Sequence, residues 1–472
     1  MSLLRRPVVL MVIGFVVLAL AGVTFSTRHT GGAVALSPDL CSFPPCRAAF
    51  NPAPARGYES AYVVADPKNP DHVVITDTDM LDNRCGWHTT VDRGKDWTDG
   101  FFALPPGFVG CRINAAAGGH VPNGSVQMGP SGTIYSVFGS ANPDEAKGDQ
   151  IMLAKSTDGG KTFAPAQSVA KPPAPEMGLG RPLMTVVAGP TGDSLLLSFW
   201  LCHPGSTGAG TACDGALFAR SDDGGNKFSP PVLVNDPPAG QNPSQPVMDN
   251  DGIVYETFQR RFADGPVDLY VAKSTDGGKT FTQGFIDRQI QIGIQYDPAK
   301  LAFDPKTNTL YTVWSDSRTG RQQIFFRKSI DKGVTWGDKA VLLAPDAQFS
   351  GSSRSPSISL APDGRIDIVY YHTGPAAEVA NFDDVYWSSS TDGGDNFTTA
   401  RQVNDMPIDR TKGYSGPAGS LGQVGNHYPP TVASIDGAAF VVWSDTVNGD
   451  ARTNSQDTML RRMPVTSAAP PP

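Results

Sequence analysis

The sequence has 472 residues, of which 39% are hydrophobic, and its formal net charge is −8 at pH 7. A chain of this length can bury a large core, but the acidic balance argues against nucleic-acid binding, which needs clustered Lys and Arg. The 51 Gly and 41 Pro residues are typical of many short strands joined by tight turns. We therefore expect an all-β protein that does not bind nucleic acid.

Residues 1–30 are predicted to direct export. Arg5 and Arg6 precede an apolar run from Pro7 to Val23, and a small-residue pattern typical of cleavage sites lies at its end. The run contains roughly 17 residues, which is also the lower limit for a helix that spans a membrane. The segment is therefore either a signal peptide or an uncleaved membrane anchor, and the protein is expected to be secreted or extracytoplasmic.

The six cysteines of an exported chain are expected to form disulfides. A zinc site is disfavoured because the sequence has no CxxC motif and no nearby His pair. Proximity along the chain favours the pairs Cys41–Cys46, Cys85–Cys111 and Cys202–Cys213. Other pairings stay open, since sequence alone does not fix connectivity.

An eight-residue motif, Ser/Thr-x-Asp-x-Gly-x-x-aromatic, occurs six times. The copies begin at Thr90, Ser156, Ser221, Ser274, Ser329 and Ser390. The Asp side chain can bond backbone N–H groups that follow it, and the Gly supplies a positive φ, so each copy predicts a tight, self-locked turn. Successive Asp residues lie from 53 (Asp223 to Asp276) to 66 (Asp92 to Asp158) residues apart, which is the spacing of a repeat protein.

Each repeat contains a β-branched and aromatic stretch that predicts a buried second strand, followed by a third strand that ends in the motif. The seven predicted second strands are His72 to Asp77, Thr133 to Phe138, Ser194 to Trp200, Ile253 to Phe258, Thr309 to Trp314, Arg365 to Tyr371 and Ala438 to Trp443. Roughly 60 residues per unit fits a four-stranded blade with loops.

These counts predict a seven-bladed β-propeller of four-stranded antiparallel blades over residues 58–463. The last unit has no evident outer strand after Pro464, and the Pro-rich lead-in at 34–57 is predicted to supply one and close the ring. Residues 464–472, rich in Ala and Pro, are predicted to be a disordered tail. A six-bladed ring is the alternative.

The repeated motif is identified as the Asp-box, and the chain resembles the sialidase-like BNR-repeat β-propellers. The resemblance implies that the boxes are structural turns on the face away from the pocket, and true sialidases usually have six blades. Sialidases also carry a Phe/Tyr-Arg-Ile-Pro motif, which is absent here. The segments most similar to this motif are Gly180-Arg181-Pro182 and Cys111-Arg112-Ile113-Asn114.

The starts of inner strands and the exits of second strands are expected to line the funnel of the propeller. Candidate substrate-binding residues at these positions are Arg181, Arg354, Arg260, Arg318, Trp200 and His427. Candidate catalytic residues are Tyr428, Asp316 and Asp445, with Tyr428 broadly where a sialidase places its nucleophilic Tyr. Arg can hold an anionic sugar bidentately and carboxylic acids can act on a glycosidic oxygen. The alternative is that Arg and Asp at blade ends simply pair with each other.

The sequence therefore favours an exported sialidase-like glycoside hydrolase or lyase that acts on a surface or extracellular glycan. A non-catalytic propeller that binds glycan or protein is the alternative. The expected partner is a carbohydrate or glycoconjugate, the protein is expected to be a monomer, and contact with a membrane is expected only through an uncleaved anchor. No cofactor is predicted, although Asp77, Asp79, Asp82 and Asn83 offer oxygen ligands for a structural Ca²⁺.

Overall fold

A computed structural model shows a seven-bladed β-propeller. The residues that it describes are 40–42, 58–79, 83–111, 124–142, 149–174, 177–202, 213–235, 240–241, 244–261, 267–291, 298–337, 341–343, 351–375, 381–412, 429–447 and 456–465. These residues form strands and turns and contain no helix. Within them, accordingly, no helix has the length and apolar character needed to cross a membrane.

The described residues form thirty strands of the ring. In chain order they are β1 (Leu40–Ser42), β2 (Tyr58–Asp66), β3 (Asn69–Asp79), β4 (Arg84–Thr90), β5 (Thr98–Phe101), β6 (Gly124–Met128), β7 (Ile134–Ala141), β8 (Asp149–Ser156), β9 (Gln167–Ala170), β10 (Gly178–Gly189), β11 (Gly192–Cys202), β12 (Cys213–Ser221), β13 (Val232–Leu233), β14 (Gly240–Gln241), β15 (Val247–Met248), β16 (Val254–Arg261), β17 (Val267–Ser274), β18 (Thr282–Ile290), β19 (Lys300–Asp304), β20 (Thr309–Asp316), β21 (Gln323–Ser329), β22 (Val341–Leu343), β23 (Ser352–Leu360), β24 (Ile366–Thr373), β25 (Phe382–Ser390), β26 (Arg401–Gln402), β27 (Ile408–Asp409), β28 (Thr431–Ile435), β29 (Ala438–Asp445) and β30 (Asp457–Pro464).

Each blade is an antiparallel sheet, and blades 1 to 6 run from the inner to the outer strand in chain order. Blades 1 to 6 are formed by β2–β5, β6–β9, β10–β13, β14–β18, β19–β22 and β23–β27, and blade 7 by β28–β30 with β1. Blade 4 has a divided inner strand, because β14 and β15 both pair with β16, and β27 adds a short extra strand to β25 in blade 6. The predicted seven-bladed architecture is confirmed.

The ring is closed by the lead-in, as the missing outer strand of the last repeat predicted. Strand β1 pairs antiparallel with β30, and Cys41 lies opposite Leu460. Two side chains of blade 7 also bond to blade 1: the Thr431 hydroxyl donates to the Ala61 carbonyl at 2.9 Å, and the Thr458 hydroxyl donates to Asp77 at 2.7 Å. The last blade thus combines strands from both ends of the described chain, and β1 covers the edge that β30 would otherwise leave unpaired.

The core lies between the blades because the second strands are buried on both faces. Every residue of β20 and of β29 is buried, which is why neither strand shows the apolar–polar alternation of a strand with one solvated face. At the joint of the first and last blades, Val73 and Ile75 pack with Phe440 and Val442. Similar buried clusters lie at the other joints between neighbouring blades.

The six repeated turns share one hydrogen-bond pattern. In the copy at Ser274, the hydroxyl donates to Asp276 at 2.8 Å and accepts the Gly278 N–H at 2.8 Å. The Asp276 carboxylate also accepts the backbone N–H groups of Lys279 and Thr280, both at 3.0 Å. The Ser/Thr–Asp and Gly–Ser/Thr bonds recur in the other five copies. The turn therefore satisfies its own backbone, as its sequence predicted.

The Gly of the turn also sets the distance to the preceding blade. Gly278 has φ 92°, and a Cβ placed on it would lie 2.1 Å from the ring of Phe218 in blade 3. The Gly residues of three other copies, at 160, 225 and 394, would bring a Cβ within 2.6 Å of a side chain in the blade before them. Only a residue without a side chain fits both the backbone conformation and this close approach.

We expect Asp276→Ala to lower Tm at neutral pH, because two backbone N–H groups lose their acceptor. Hydrogen bonds from Thr280 hold the pKa of Asp276 below its usual range. Its stabilising contribution is therefore present above the unfolded-state pKa of about 3.9 and is lost as pH falls towards the lower folded-state pKa. The difference in Tm from the wild type should shrink in acid. Melting curves between about pH 7 and pH 2 measure this, with exposed Asp96→Ala as the control.

A second prediction concerns Glu256, which lies in the joint between blades 3 and 4. It is fully buried, accepts a 2.7 Å hydrogen bond from the Ser198 hydroxyl, and has no described partner at Oε2. Burial raises its pKa to about 8. A raised folded-state pKa means that stability is greatest below the unfolded-state pKa of about 4.3 and is lost as pH rises through about 8.

Glu256→Gln keeps the shape of the side chain and removes this titration. We expect its Tm to vary less with pH than the wild-type Tm between about pH 5 and pH 8, so that the variant gains relative stability as pH rises. Parallel Tm curves for the two proteins would contradict the assignment.

Candidate active site

All second strands end at one end of the ring, here called the exit face. The repeated turns lie at the opposite end, because third strands run antiparallel to second strands. In the six blades that carry the motif, one register position near the end of the second strand holds Asp79, Ser140, Leu201, Arg260, Asp316 and His372. In blade 7, Trp443-Ser444-Asp445 repeats the Trp-Ser-Asp of residues 314–316 and places Asp445 at this level. The exit face therefore gathers polar residues from several blades.

Three inner strands carry a β-bulge just below the exit face. The bulges are centred on Ser60 in blade 1, Arg181 in blade 3 and Ser355 in blade 6, with φ of 55°, 51° and 55°. A positive φ at a residue other than Gly costs about 1–2 kcal/mol, and such strain concentrates where a side chain must be re-aimed at a functional site. Inner strands of three separate blades are therefore shaped at the same level of the channel.

Next to the bulge in blade 6, Arg354 and Asp383 form a buried ion pair. Arg354 donates through Nη1 to Asp383 at 3.0 Å and to Thr373 at 2.8 Å, and Nη2 bonds the second oxygen of Asp383. Nε of Arg410 lies 3.3 Å from Asp383. Burial opposes ionisation of Asp383, but the two guanidinium groups outweigh it and hold the pKa of this carboxyl below its usual range. Asp383 is therefore a buried carboxylate that stays charged.

A second carboxyl, Asp445, has the opposite environment. Its oxygens accept hydrogen bonds from the Trp443 indole and the Val447 amide, each at 2.8 Å. These contacts favour the charged form, but burial outweighs them and raises the pKa of Asp445 to about 6. Asp445 therefore carries a proton in mildly acidic solution while Asp383 does not.

Tyr371 is influenced by the charges of both carboxyls. It is fully buried opposite Arg354 on the neighbouring strand, and the charges of Asp383, Arg354 and Asp445 all act on its hydroxyl. Burial raises the pKa of Tyr371, so its hydroxyl keeps its proton. Both carboxyls thus belong to one electrostatic cluster that spans blades 6 and 7.

His372 adds a neutral ring to this cluster. It is buried, and its Nδ1 lies 3.0 Å from the Ser353 hydroxyl. Burial lowers the pKa of His372 to about 4, and the positive charges of Arg321 and Arg354 act in the same direction. At neutral pH the imidazole can exchange hydrogen bonds without adding charge.

A short strap, residues 408–412, crosses the exit face from blade 6 to blade 7. Strand β27 pairs with the start of β25, and the Asp409 N–H donates to Thr446 of blade 7 at 3.0 Å. The strap carries Arg410 onto Asp383, with 24% of the Arg410 side chain exposed. Arg410 is therefore the cluster's most accessible guanidinium.

The cluster, defined as Arg354, Tyr371, His372, Asp383, Arg410 and Asp445, holds two carboxyls whose environments push their pKa values apart. Such a pair can divide general-acid and general-base roles at one pH. The ion pairs join two Arg side chains to one carboxylate, so the cluster keeps a positive charge when Asp445 is protonated. The arrangement is therefore suited to an anionic ligand with a cleavable bond.

Arg181 and Trp200 are brought together in blade 3. The Arg181 guanidinium lies 5.2 Å from the Trp200 ring centre, which is a cation–π contact, and both side chains are buried. Arg181 also acts on Tyr62 of blade 1: burial raises the pKa of Tyr62 and the charge of Arg181 partly offsets the rise. The two predicted binding residues thus share a location near the inner strand of blade 1.

Asp316 and Arg318, predicted for catalysis and binding respectively, bind each other. Asp316 is fully buried and accepts the Gln291 and Arg318 N–H groups at 2.9 Å, as well as the Arg318 guanidinium at 2.5 Å. Arg318 also pairs with Asp287 at 2.6 Å. These contacts match the alternative expectation that Arg and Asp at blade ends pair with each other. A role in substrate turnover stays a prediction for both.

Arg260 reaches the outer part of blade 4. Its guanidinium lies 4.8 Å from the Tyr270 ring centre and donates to Gln283 of the outermost strand at 3.2 Å. These contacts are made within its own blade, separate from the described contacts of the cluster. His427 and Tyr428 lie outside the described residues, so their roles stay predictions.

Two of the oxygen ligands proposed for Ca²⁺ have protein partners, whereas the buried Oδ1 of Asp77 has no hydrogen-bond partner in the described residues. One Asp77 oxygen accepts from His88 at 3.1 Å and from Thr458, and the side-chain Oδ1 of Asn83 accepts the Cys111 N–H at 3.1 Å. Asp82 lies outside the described residues. The described part of the chain contains no group of three His, Cys, Asp or Glu side chains arranged to hold a metal ion. The Ca²⁺ site stays a prediction.

The disulfide predicted between Cys85 and Cys111 is present, with a Cα–Cα distance of 5.3 Å. Cys202 is also disulfide-bonded, and Cys213 lies opposite it on the adjacent strand. Cys46 and the side chain of Cys41 lie outside the described residues, so that pair stays a prediction.

The sequence analysis missed Asp383 and Arg410. It considered inner-strand starts and second-strand exits, but strand pairing brings the starts of third strands to the same end of the ring. The Asp383-Asp384 pair at the start of β25 was the available signal. Arg410 lies between an outer strand and the next inner strand, and no local pattern marks its return to Asp383.

No family model matches this sequence, and no curated protein matches it. Among solved structures, a protein of unknown function from Dyadobacter fermentans is similar over 77% of this chain and 97% of its own, with 15% identity and a TM-score of 0.51. A Hadza microbial sialidase is similar over 83% of this chain and 76% of its own, with 14% identity and a TM-score of 0.47. An ulvan lyase solved with a bound -[GlcA(1-4)Rha3S]- saccharide is similar over 86% and 94%, with 12% identity and a TM-score of 0.47. At these identities the similarity concerns the fold alone.

Arg354→Ala should lower the free energy of unfolding by about 3–5 kcal/mol, because it removes the main partner of a fully buried carboxylate. Denaturant unfolding measures the change. The matched control is Arg401→Ala in the same blade, where an exposed Arg lies 5.6 Å from the Trp387 ring centre and a change within about 0.5 kcal/mol is expected. Equal effects of the two substitutions would show that the ion pair is not a stabilising element.

Proposed function

We propose that this chain is an exported, sialidase-like Asp-box propeller that cleaves an acidic surface or extracellular glycan, as a glycoside hydrolase or lyase. The observation that carries the proposal is the cluster at the exit face of blades 6 and 7, in which Asp383 and Asp445 have opposite pKa shifts beside Arg354 and Arg410. The six self-bonded turns support assignment to the Asp-box type.

Asp445 is the proposed proton donor. Its raised pKa, about 6, keeps a proton available in mildly acidic solution, and a hydrolase uses such a group to protonate the leaving oxygen. Asp383, held ionised by two guanidinium groups, is the proposed base or charge-stabilising carboxylate. Tyr428 precedes the inner strand of blade 7 by three residues and remains a candidate reactive group beside them.

The charges of the cluster favour an acidic substrate. The ion pairs set two guanidinium groups against one carboxylate. Below about pH 6 Asp445 carries a proton while the His372 ring, with a pKa of about 4, is neutral, so the cluster keeps a net positive charge in mildly acidic solution. A uronate or a sulfate group would therefore neutralise charge on binding. Arg410, with 24% of its side chain exposed, is the proposed contact for this group.

A non-catalytic glycan-binding propeller is the second candidate function. Asp383 is fully buried and both of its oxygens are already bonded to Arg354. A carboxylate with both oxygens already bonded is suited to holding the Arg side chains in place for ligand binding, and less suited to reacting with a substrate. Catalysis requires that the substrate reach Asp445 beside this wall.

We expect the purified protein to cleave a member of a panel of uronate-containing or sulfated polysaccharides, detected as new reducing ends or as unsaturated products. Asp445→Asn should lower kcat at least about 100-fold with little change in KM, because the amide cannot donate the proton. The wild-type rate should fall as pH rises through about 6, where Asp445 loses its proton. Arg410→Ala should instead raise KM for acidic substrates.

The control for this experiment is Asp287→Asn, which alters a half-buried carboxylate of blade 4 that pairs with Arg318 and should leave the rate unchanged. A panel without turnover, together with glycan binding that survives Asp445→Asn but weakens in Arg410→Ala, would favour the binding function. Binding that survives both substitutions would contradict the location of the site.

A further inference from the structure

A small cavity lies between blades 1 and 2, apart from the cluster described above. Its polar lining includes Ser60, Thr76 and Ser136, and its apolar lining includes Phe102 and Phe138. Its free interior is about the size of one water molecule. Thr76 and Ser136 are buried, and neither hydroxyl has a hydrogen-bond partner in the described residues.

At the equivalent positions of blades 3 and 4, two side chains form a hydrogen bond across the joint. Thr76 and Ser198 share one register position on their second strands, and Ser136 and Glu256 share the facing position on the next blade. The Ser198 hydroxyl reaches Glu256 directly at 2.7 Å. Ser136 is too short to bridge the same gap, so the two hydroxyls of blades 1 and 2 face a space instead of each other.

The space is kept open by Gly124 on the inner strand of blade 2. A Cβ at this position would lie 4.0 Å from the Thr76 hydroxyl and 3.2 Å from the Val137 carbonyl. The single carboxylate among the lining residues, Asp77, accepts hydrogen bonds from His88 and from Thr458 of blade 7 through one oxygen, and its other oxygen has no described partner. Because strand neighbours point to opposite faces, this carboxylate is turned away from Thr76 and from blade 2.

From these observations we infer a buried hydration site in which one ordered water bridges the Thr76 and Ser136 hydroxyls and replaces the carboxyl that Glu256 supplies in blade 4. Water can both donate and accept, which two facing hydroxyls require, whereas a cation would need several oxygen ligands with a carboxylate among them. Ser60, at the bulge of the first inner strand, also lines this site.

The test compares Thr76→Val with Thr312→Val. Thr312 is a fully buried threonine on the second strand of blade 5 whose hydroxyl has no described partner. Removing an unpaired buried hydroxyl should raise Tm, so Thr312→Val is expected to be slightly more stable than the wild type. Thr76→Val removes a ligand of the water and should lower Tm by about 1–2 °C.

A high-resolution crystal structure of the full chain provides the second measurement. Density for one water within hydrogen-bond distance of Thr76 and Ser136, lost in Thr76→Val, is the expected result. An empty cavity in the wild type, or a Tm for Thr76→Val as high as that of Thr312→Val, would overturn the inference. Density with the short distances and the ligand number of a metal ion would overturn it as well.

Discussion

The repeated turn is the constraint on which the rest of this propeller depends. A Ser or Thr hydroxyl and an Asp carboxylate bond the turn's own backbone, so its shape does not rely on the neighbouring blade. Its Gly then allows the preceding blade to approach to a distance at which a Cβ would collide, as at Gly278 and Phe218. One short motif thus fixes the hairpin and the blade spacing together. Strand heights around the ring follow from that spacing.

Common strand heights explain why distant residues meet at the exit face. Asp445 and His372 occupy the same level in adjacent blades. Arg354 lies at the same end of its strand, directly before the bulge at Ser355. The strap then brings Arg410 over the joint from a different part of the chain. The regular strands fix the positions of the side chains, while the two guanidinium groups come from the irregular segments, Arg354 from the bulge and Arg410 from the strap. Division of labour between a regular scaffold and irregular segments is common in proteins whose function lies at strand ends.

Repeat spacing was sufficient to predict the seven blades and the closing role of the lead-in, because a missing outer strand leaves an edge that must be paired. Asp445 was predicted from its place after Trp443. The ion pair of Arg354 with Asp383 was not, since its partners are 29 residues apart and meet only through the pairing of β23, β24 and β25. The bulges at Ser60, Arg181 and Ser355 were also hidden, because none uses the Gly that usually marks a positive φ.

The most direct test of the proposed site is a crystal structure of the protein with an acidic oligosaccharide bound. The account predicts a sugar at the exit face of blades 6 and 7, with its anionic group within hydrogen-bond distance of Arg410 and its glycosidic oxygen beside Asp445. A sugar bound at the repeated turns, or at the exit face of blade 3 beside Arg181 and Trp200 with the blade 6 and 7 cluster empty, would contradict it.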